Sequence, residues 1–392
     1  MLDESQVRVK LRTAASVSAV TAMALVAGSG HMLYPAFLYL RTRRLRDEVP
    51  ADLADLPPLT VIVPAYLEAS VIAAKVTDLR ANGYPNRLDV LVVADDPATS
   101  AAAGATDAVV ISHDRRIGKA GALNRGMAAA MTDIVVLTDA NTSLQIGSLA
   151  ALAKWFGDLT VGAVAGEKSV TASGEGAYWR FESWLKRREA RTGATFALVG
   201  ELAAVRRSAF RPLPLDLAVE DLWLALDVLE QGLRIVYEPD ARAKEDAPSN
   251  WADDWERRTR VVAGVLDVLW RRRHLMAPGG GMLAVQLWGH RLVRSTLGPV
   301  AHLVLVLTAL RSSPHSGLAR IVVVAHLVGV IAAVRTHRRV ARNPVERLVG
   351  QAILLQAIGL GGFLRYLRGD RPALWPKPPR RATSAQAVAA RT

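Results

Sequence analysis

The stretch Ile134-Val135-Val136-Leu137-Thr138-Asp139-Ala140-Asn141 decides how the rest of the chain is read. Four apolar residues run directly into Asp-x-Asn, the pattern of a buried strand that ends in a polar turn. Open α/β sheets bind ligands at that edge. A carboxylate and an amide oxygen there, Asp139 and Asn141, suit a hard divalent cation that bridges nucleotide phosphates. The same two residues would serve as ordinary turn or helix-capping residues, so the neighbouring segments have to decide.

Upstream, residues 59–66 (Leu-Thr-Val-Ile-Val-Pro-Ala-Tyr) and 88–96 (Leu-Asp-Val-Leu-Val-Val-Ala-Asp-Asp) read as buried parallel strands separated by a helical stretch, the signature of βαβ units. Residues 106–112 form a shorter third strand. Gly118-Lys119-Ala120-Gly121-Ala122-Leu123-Asn124 then opens a helix that leads into the Asp139 strand. Several strands therefore deliver polar ends to one edge: Asp95, Asp96, the Gly118-Lys119 loop, Asp139 and Asn141.

At this point the chain resembles the family 2 glycosyltransferases, the GT-A-fold group that includes cellulose, chitin and hyaluronan synthases. Five segments carry the resemblance in order: Val61-Ile62-Val63-Pro64-Ala65-Tyr66, Val92-Val93-Ala94-Asp95, Gly118 to Asn124, Thr138-Asp139-Ala140-Asn141 and Val219-Glu220-Asp221. It implies an α/β fold: a GT-A nucleotide-sugar (Rossmann-like) domain over 59–275 with a mostly parallel sheet, flanked by transmembrane α-helices. Two departures stand out. Leu67 replaces the family's Asn after Pro-Ala-Tyr, although Glu68 remains. The helix reading Asp254-Trp255-Glu256-Arg257-Arg258-Thr259-Arg260 keeps arginines but lacks the Trp that closes the Gln-x-x-Arg-Trp motif of processive synthases. The second departure argues against processive polymer synthesis and leaves sugar transfer untouched.

The 392 residues suffice for one catalytic domain plus membrane helices, and 51% of them are hydrophobic, concentrated at the two ends. No Asp, Glu, Lys or Arg lies between Arg12 and Arg41. That run is long enough to cross a bilayer and too long for a signal peptide, and its basic cluster (Arg41, Arg43, Arg44, Arg46) follows it. Residues 1–41 thus read as an uncleaved anchor and 42–58 as a linker, with the following domain cytoplasmic by positive-inside logic. Within 282–367, Leu283 to Arg294 reads as an interfacial helix because it contains His290, Arg291 and Arg294. Residues 295–310, 318–334 and 348–364 read as three short spans, which makes this a multi-pass plasma-membrane protein. Four spans place the basic tail, 368–392, outside, against the positive-inside preference of Arg365, Arg368, Arg371, Lys377, Arg380 and Arg381. The net charge of +13 sits at membrane boundaries, where lipid head groups rather than nucleic acid explain it. The absence of cysteine excludes disulfides and thiolate metal sites.

Transfer from a nucleotide sugar requires neutralisation of a leaving diphosphate, a hold on the nucleotide, and removal of a proton from the acceptor hydroxyl. Asp139 is the candidate metal ligand, for Mg²⁺ or Mn²⁺, with Asn141 as a neutral second ligand or helix cap. The resemblance assigns Asp95 to the base, places Pro64, Tyr66, Glu68, Asp96, Lys119 and Asp139 around the nucleotide, and makes Asp221 the general base supported by Glu220. Taken alone, Glu220-Asp221 also fits acids placed in a helix's first turn for its dipole. Trp255, Arg257, Arg258 and Arg260 are candidates for the acceptor and diphosphate; an interfacial helix would use the same residue types. Tyr178, Trp179 and Trp184 read as core. The implied partners are a nucleotide sugar, a lipid or glycan acceptor, and the bilayer. Rival readings are a processive polysaccharide synthase, a nucleotidyltransferase, and a catalytically silent nucleotide-binding subunit. The last would have shed the acid set that is present here.

Overall fold

Val61, Ile62 and Val63 are wholly buried, as β-branched residues are when both faces of a parallel sheet are covered. They form the centre of β1 in the computed structural model, which describes residues 4–50, 55–113, 115–170, 176–193, 195–196, 198–245, 251–338 and 340–370. The chain divides into two compact units. The first comprises Val49–Ser173 and Phe196–Arg258; the second comprises Met1–Glu48, Gly174–Thr195 and Thr259–Arg371. The boundary falls within the Trp251–Arg271 helix.

The first unit is built on an eight-stranded sheet of β1 (Leu59–Ala65), β2 (Leu88–Ala94), β3 (Val109–Ser112), β4 (Ile134–Thr138), β5 (Thr142–Leu144), β6 (Val161–Val170), β7 (Leu202–Arg206) and β8 (Arg234–Glu245), in the order β3-β2-β1-β4-β7-β6-β8-β5. The expected strands at 59–66, 88–96 and 134–138 are present, and the third is shorter than expected. β3-β2-β1-β4 is entirely parallel, and the chain reverses its outward progress at β1/β4. Ligands bind at such a switch point, beyond the carboxyl ends of the strands. The other half is mixed: β7 is antiparallel to β4 and β6, β5 is antiparallel to β8, and β6 is parallel to β8. The antiparallel entry of β7 has a consequence for the site. Leu202, its first residue, pairs with Thr138 at the end of β4, so Gly200 and Glu201 arrive beside Asp139.

Two glycines set the helix that carries Lys119. Gly118 opens the Gly118–Ala129 helix at φ +75, where side chains are strained. A Cβ on Gly126 would lie 2.6 Å from Ile62 Cγ2, so only glycine lets this helix pack so closely on β1.

Among the described residues of the second unit, three helices are long and apolar enough to cross a membrane: Gly281–Ser312, Gly317–His337 and Pro344–Leu367. A fourth candidate, over the stretch read as the anchor, is the N-terminal pair Val17–Ser29 and Leu33–Thr42, which is bent by 52°. Gly281–Ser312 is continuous, whereas the sequence suggested an interfacial helix followed by a separate span. Its segment Leu287–Leu297 is π-helical, a form concentrated at functional or strained sites.

The reason for the difference lies in Gly176–Ala190, a helix from between β6 and β7 that belongs to this second unit. Its Glu182 takes the Arg294 guanidinium and faces His290 Nε2 at 3.3 Å. Its fully buried Glu189 accepts from Tyr34 Oη at 2.5 Å and faces His290 Nδ1 at 2.7 Å. His290 and Arg294, two of the three polar residues that suggested an interface, are therefore buried against carboxylates. Trp184 and Phe181 pack against Tyr34, Leu38 and Leu185, in keeping with the core reading of Trp184. The side chains of Tyr178 and Trp179 lie outside the described residues.

Candidate active site

At the carboxyl end of β2, buried Asp95 turns Oδ2 to the backbone N–H groups of Ile117 (3.1 Å) and Gly118 (2.8 Å), while Oδ1 is buried without a hydrogen-bond partner. Burial raises its proton affinity more than the two N–H groups lower it. Such an acceptor is costly unless a ligand donates to it. That cost fits the role the resemblance assigns to Asp95. Nearby, the Arg116 guanidinium lies 4.0 Å over the Tyr66 ring.

Asp96 is differently employed. Oδ1 accepts from Thr99 N–H at 2.9 Å, capping the Pro97–Gly104 helix, and Oδ2 accepts from Leu67 N–H at 2.6 Å. Both oxygens are thus engaged in holding a loop, which explains the residue without a nucleotide. Leu67 itself has φ +53, a conformation that Asn tolerates and Leu resists. Its side chain is 59% exposed, so little packing offsets the strain. Leu67→Asn should therefore raise unfolding stability by on the order of 1 kcal/mol, read from the denaturation midpoint of the purified protein. A neutral or destabilising outcome would show that this loop is not strained. Glu68 is buried, and its N–H donates to Thr99 Oγ1 at 2.9 Å.

The carboxyl ends of β1 and β4, the start of β7 and the start of the Glu220–Glu230 helix line a cleft that opens to solvent. Leu123, Leu137, Leu198 and Leu224 form its apolar wall, Pro64 lines it from β1, and Lys119, Asp139, Glu220 and Asp221 supply its polar groups. Lys119 Nζ bridges Asp139 Oδ1 (2.8 Å) and Glu220 Oε1 (2.9 Å). Burial opposes the ammonium, but the two carboxylates outweigh it and hold Lys119 well above the ordinary lysine value. Burial, helped by the charges of Glu201 and Glu220, raises Asp139 despite Lys119. Asp221 uses Oδ1 on its neighbour's N–H (Leu222, 2.7 Å) at the helix start and also lines the cleft. The helix-start and catalytic readings of this acid are therefore compatible.

A further network underlies the cleft and was not anticipated. Lys168 pairs with both Glu201 and Glu245, and Asn141 donates to Glu245 Oε1 at 3.1 Å. Burial would raise Glu201, yet Lys168 pulls it down to about 2. Asn141 is thereby joined to β8 rather than to Asp139. Among the described residues no three His, Asp or Glu side chains converge to hold a metal. The donor set fits a different arrangement, one or two protein carboxylates completed by diphosphate oxygens. Asp139, Glu201, Glu220 and Glu245 together outnumber Lys119 and Lys168, and that excess of carboxylate supplies the negative field for it. Trp255, Arg257 and Arg258 do not line the described cleft. Arg257 and Arg258 pair with Asp254 at 3.1 and 2.8 Å, and Trp255 packs on Trp251 with centroids 5.9 Å apart. Arg260 belongs to the second unit.

The architecture is shared with a mannosyltransferase from Pyrobaculum calidifontis whose structure holds GDP-Man and Mn²⁺. The similarity has a TM-score of 0.70 at 25% identity and covers 89% of this chain and 99% of that one. Fold and cleft together define a GT-A-type α/β domain. Residues 60–213 match the profile described as Glycosyl transferase family 2, and the chain carries a family 2 glycosyltransferase domain. It is similar to the pre-mycofactocin glycosyltransferase of Mycobacterium tuberculosis, 32% identical over 308 residues, or 68% of this chain and 63% of the relative. It is also 30% identical over 224 residues to an N-acetylglucosaminyltransferase of Rhizobium meliloti, covering 49% of this chain and 52% of the relative. The chain thus spans between half and two thirds of the length of these relatives.

Proposed function

We propose that the chain is a membrane-bound, inverting glycosyltransferase that takes a hexosyl or N-acetylhexosaminyl group from a nucleoside-diphosphate donor, UDP-linked in our reading, and passes it to a lipid or glycan hydroxyl at the cytoplasmic face. The observation that carries this is the cleft at the β1/β4 switch point, where Asp221, Glu220, Lys119 and Asp139 meet against an apolar wall. Asp221 Oδ2 takes the acceptor's proton as its oxygen attacks the anomeric carbon. Glu220 holds Lys119, and Lys119 keeps a positive charge beside the departing diphosphate. Asp95 and Gly118 form the nucleotide's seat, with Pro64 and Tyr66 at the end of β1. Asp139 would hold Mg²⁺ or Mn²⁺, which when bound neutralises diphosphate charge. The excess carboxylate around Asp139 supports that assignment. The spans and Arg-rich hinges support the membrane placement.

The test is a donor panel. Purified protein in native-membrane nanodiscs, which carry the acceptor along, is offered UDP- and GDP-sugars with Mn²⁺, and nucleoside diphosphate release is measured with and without excess chelator. Release from one donor class, abolished by chelator, is expected. Pyrophosphate release would indicate nucleotidyl transfer, silence toward every donor would indicate a binding subunit, and product lengthening with time would indicate a processive synthase.

A further inference from the structure

Gly200 is not required by its backbone. Its φ lies outside the left-handed region, and a Cβ built on it meets no backbone atom within 4 Å. It would meet only two side-chain atoms, Lys119 Nζ at 3.3 Å and Asp221 Oδ2 at 3.7 Å. The missing side chain therefore leaves open a gap between the carboxylate read as the base and the ammonium that bridges Asp139 and Glu220. Glycine weakens a chain entropically wherever its conformational freedom is not used. An alanine here asks only that the far end of the Lys119 side chain give by a few tenths of an ångström, so the fold itself does not demand the glycine.

We propose that Gly200 is a positioning residue for sugar transfer: its bare Cα forms the floor on which the acceptor hydroxyl and the anomeric carbon approach each other between Asp221 and Lys119. This rests on the assignment of Asp221 as base. A methyl group on that floor displaces the reacting atoms by about the length of a bond. Misplacement of about 1 Å can cost on the order of a hundredfold in rate. Asp95 and Gly118 are not among the atoms such a methyl group meets; of the groups at the nucleotide end only Lys119 Nζ is, and as the far end of a flexible side chain it yields by a few tenths of an ångström.

The experiment compares wild type with Gly200→Ala in the same native-membrane nanodiscs, using three readouts: melting temperature, calorimetric binding of UDP or GDP (whichever the wild type binds), and the initial rate of nucleotide release from the donor found in the panel. The expected result is a rate lower by at least about tenfold, with nucleoside-diphosphate affinity within about threefold of wild type. The melting temperature should be equal or slightly higher. A rate within about threefold of wild type would show that nothing reacts against this floor. An equal loss of nucleotide affinity would move Gly200 into the nucleotide seat, and a large fall in melting temperature would make the glycine structural; either overturns the proposal. If the wild type releases no nucleotide from any donor, the glycosyltransferase reading itself fails, an outcome distinct from an active Gly200→Ala.

Discussion

Asp221→Asn lowers turnover by about two to four orders of magnitude and leaves nucleoside-diphosphate affinity nearly unchanged. The substitution preserves shape and keeps an acceptor oxygen for the Leu222 N–H, so the helix start survives. It removes the one thing a base must have, an oxygen able to take a proton. Donor affinity is spared because Asp95, Lys119 and Asp139 hold the nucleotide end in this reading. A purely structural acid in a helix's first turn contributes only about 0.3–1 kcal/mol of stability, and its loss would leave turnover almost intact. Steady-state rates and UDP or GDP calorimetry on the same preparations separate the two. A variant that retains more than about a tenth of wild-type turnover returns Asp221 to the helix dipole.

Glu182→Gln destabilises the second unit by about 3–5 kcal/mol, because it leaves buried positive charge without its carboxylate. Glu182 takes the Arg294 guanidinium, and both ring nitrogens of His290 face carboxylates, Glu182 on one side and Glu189 on the other. Charges within membrane-spanning stretches are rare and persist when paired. The double variant Glu182→Leu with Arg294→Met should recover part of the loss, since it removes the ion pair together but leaves His290 Nε2 without the carboxylate it faces. Thermal or denaturant unfolding in nanodiscs reads both values. A single-variant loss below about 1 kcal/mol would place this cluster among surface-like ion pairs.

The N-terminal half of the sheet was legible in the sequence because it depends on local pattern. Runs such as Val61-Ile62-Val63 specify buried parallel strands, and their polar ends fall at the ligand edge whatever the rest of the chain does. Lys119, Asp139, Glu220 and Asp221 stand at the end of a strand or the start of a helix, and the structure brings them to one cleft; local pattern alone left Glu220-Asp221 equally well explained by the helix dipole, and the family resemblance singled them out. What escaped was long-range pairing. Asn141 follows Asp139 by two residues, yet its amide reaches Glu245, 104 positions away. Asp96 reads like Asp95, but its oxygens hold the Leu67 turn. Arg294 and His290 suggest an interface until Glu182 and Glu189, more than a hundred residues earlier, neutralise them. Gly200 carries no local signal because its meaning is an absent side chain next to two distant ones.

Transfer by one base in a single displacement inverts the anomeric centre, whereas an enzyme nucleophile would act twice and retain it. The decisive measurement is the anomeric configuration of the first-formed product, read by proton NMR of the glycoside made from an α-linked nucleotide sugar. A β-linked product is predicted. An α-linked product would contradict a mechanism in which Asp221 acts as the sole base in this cleft.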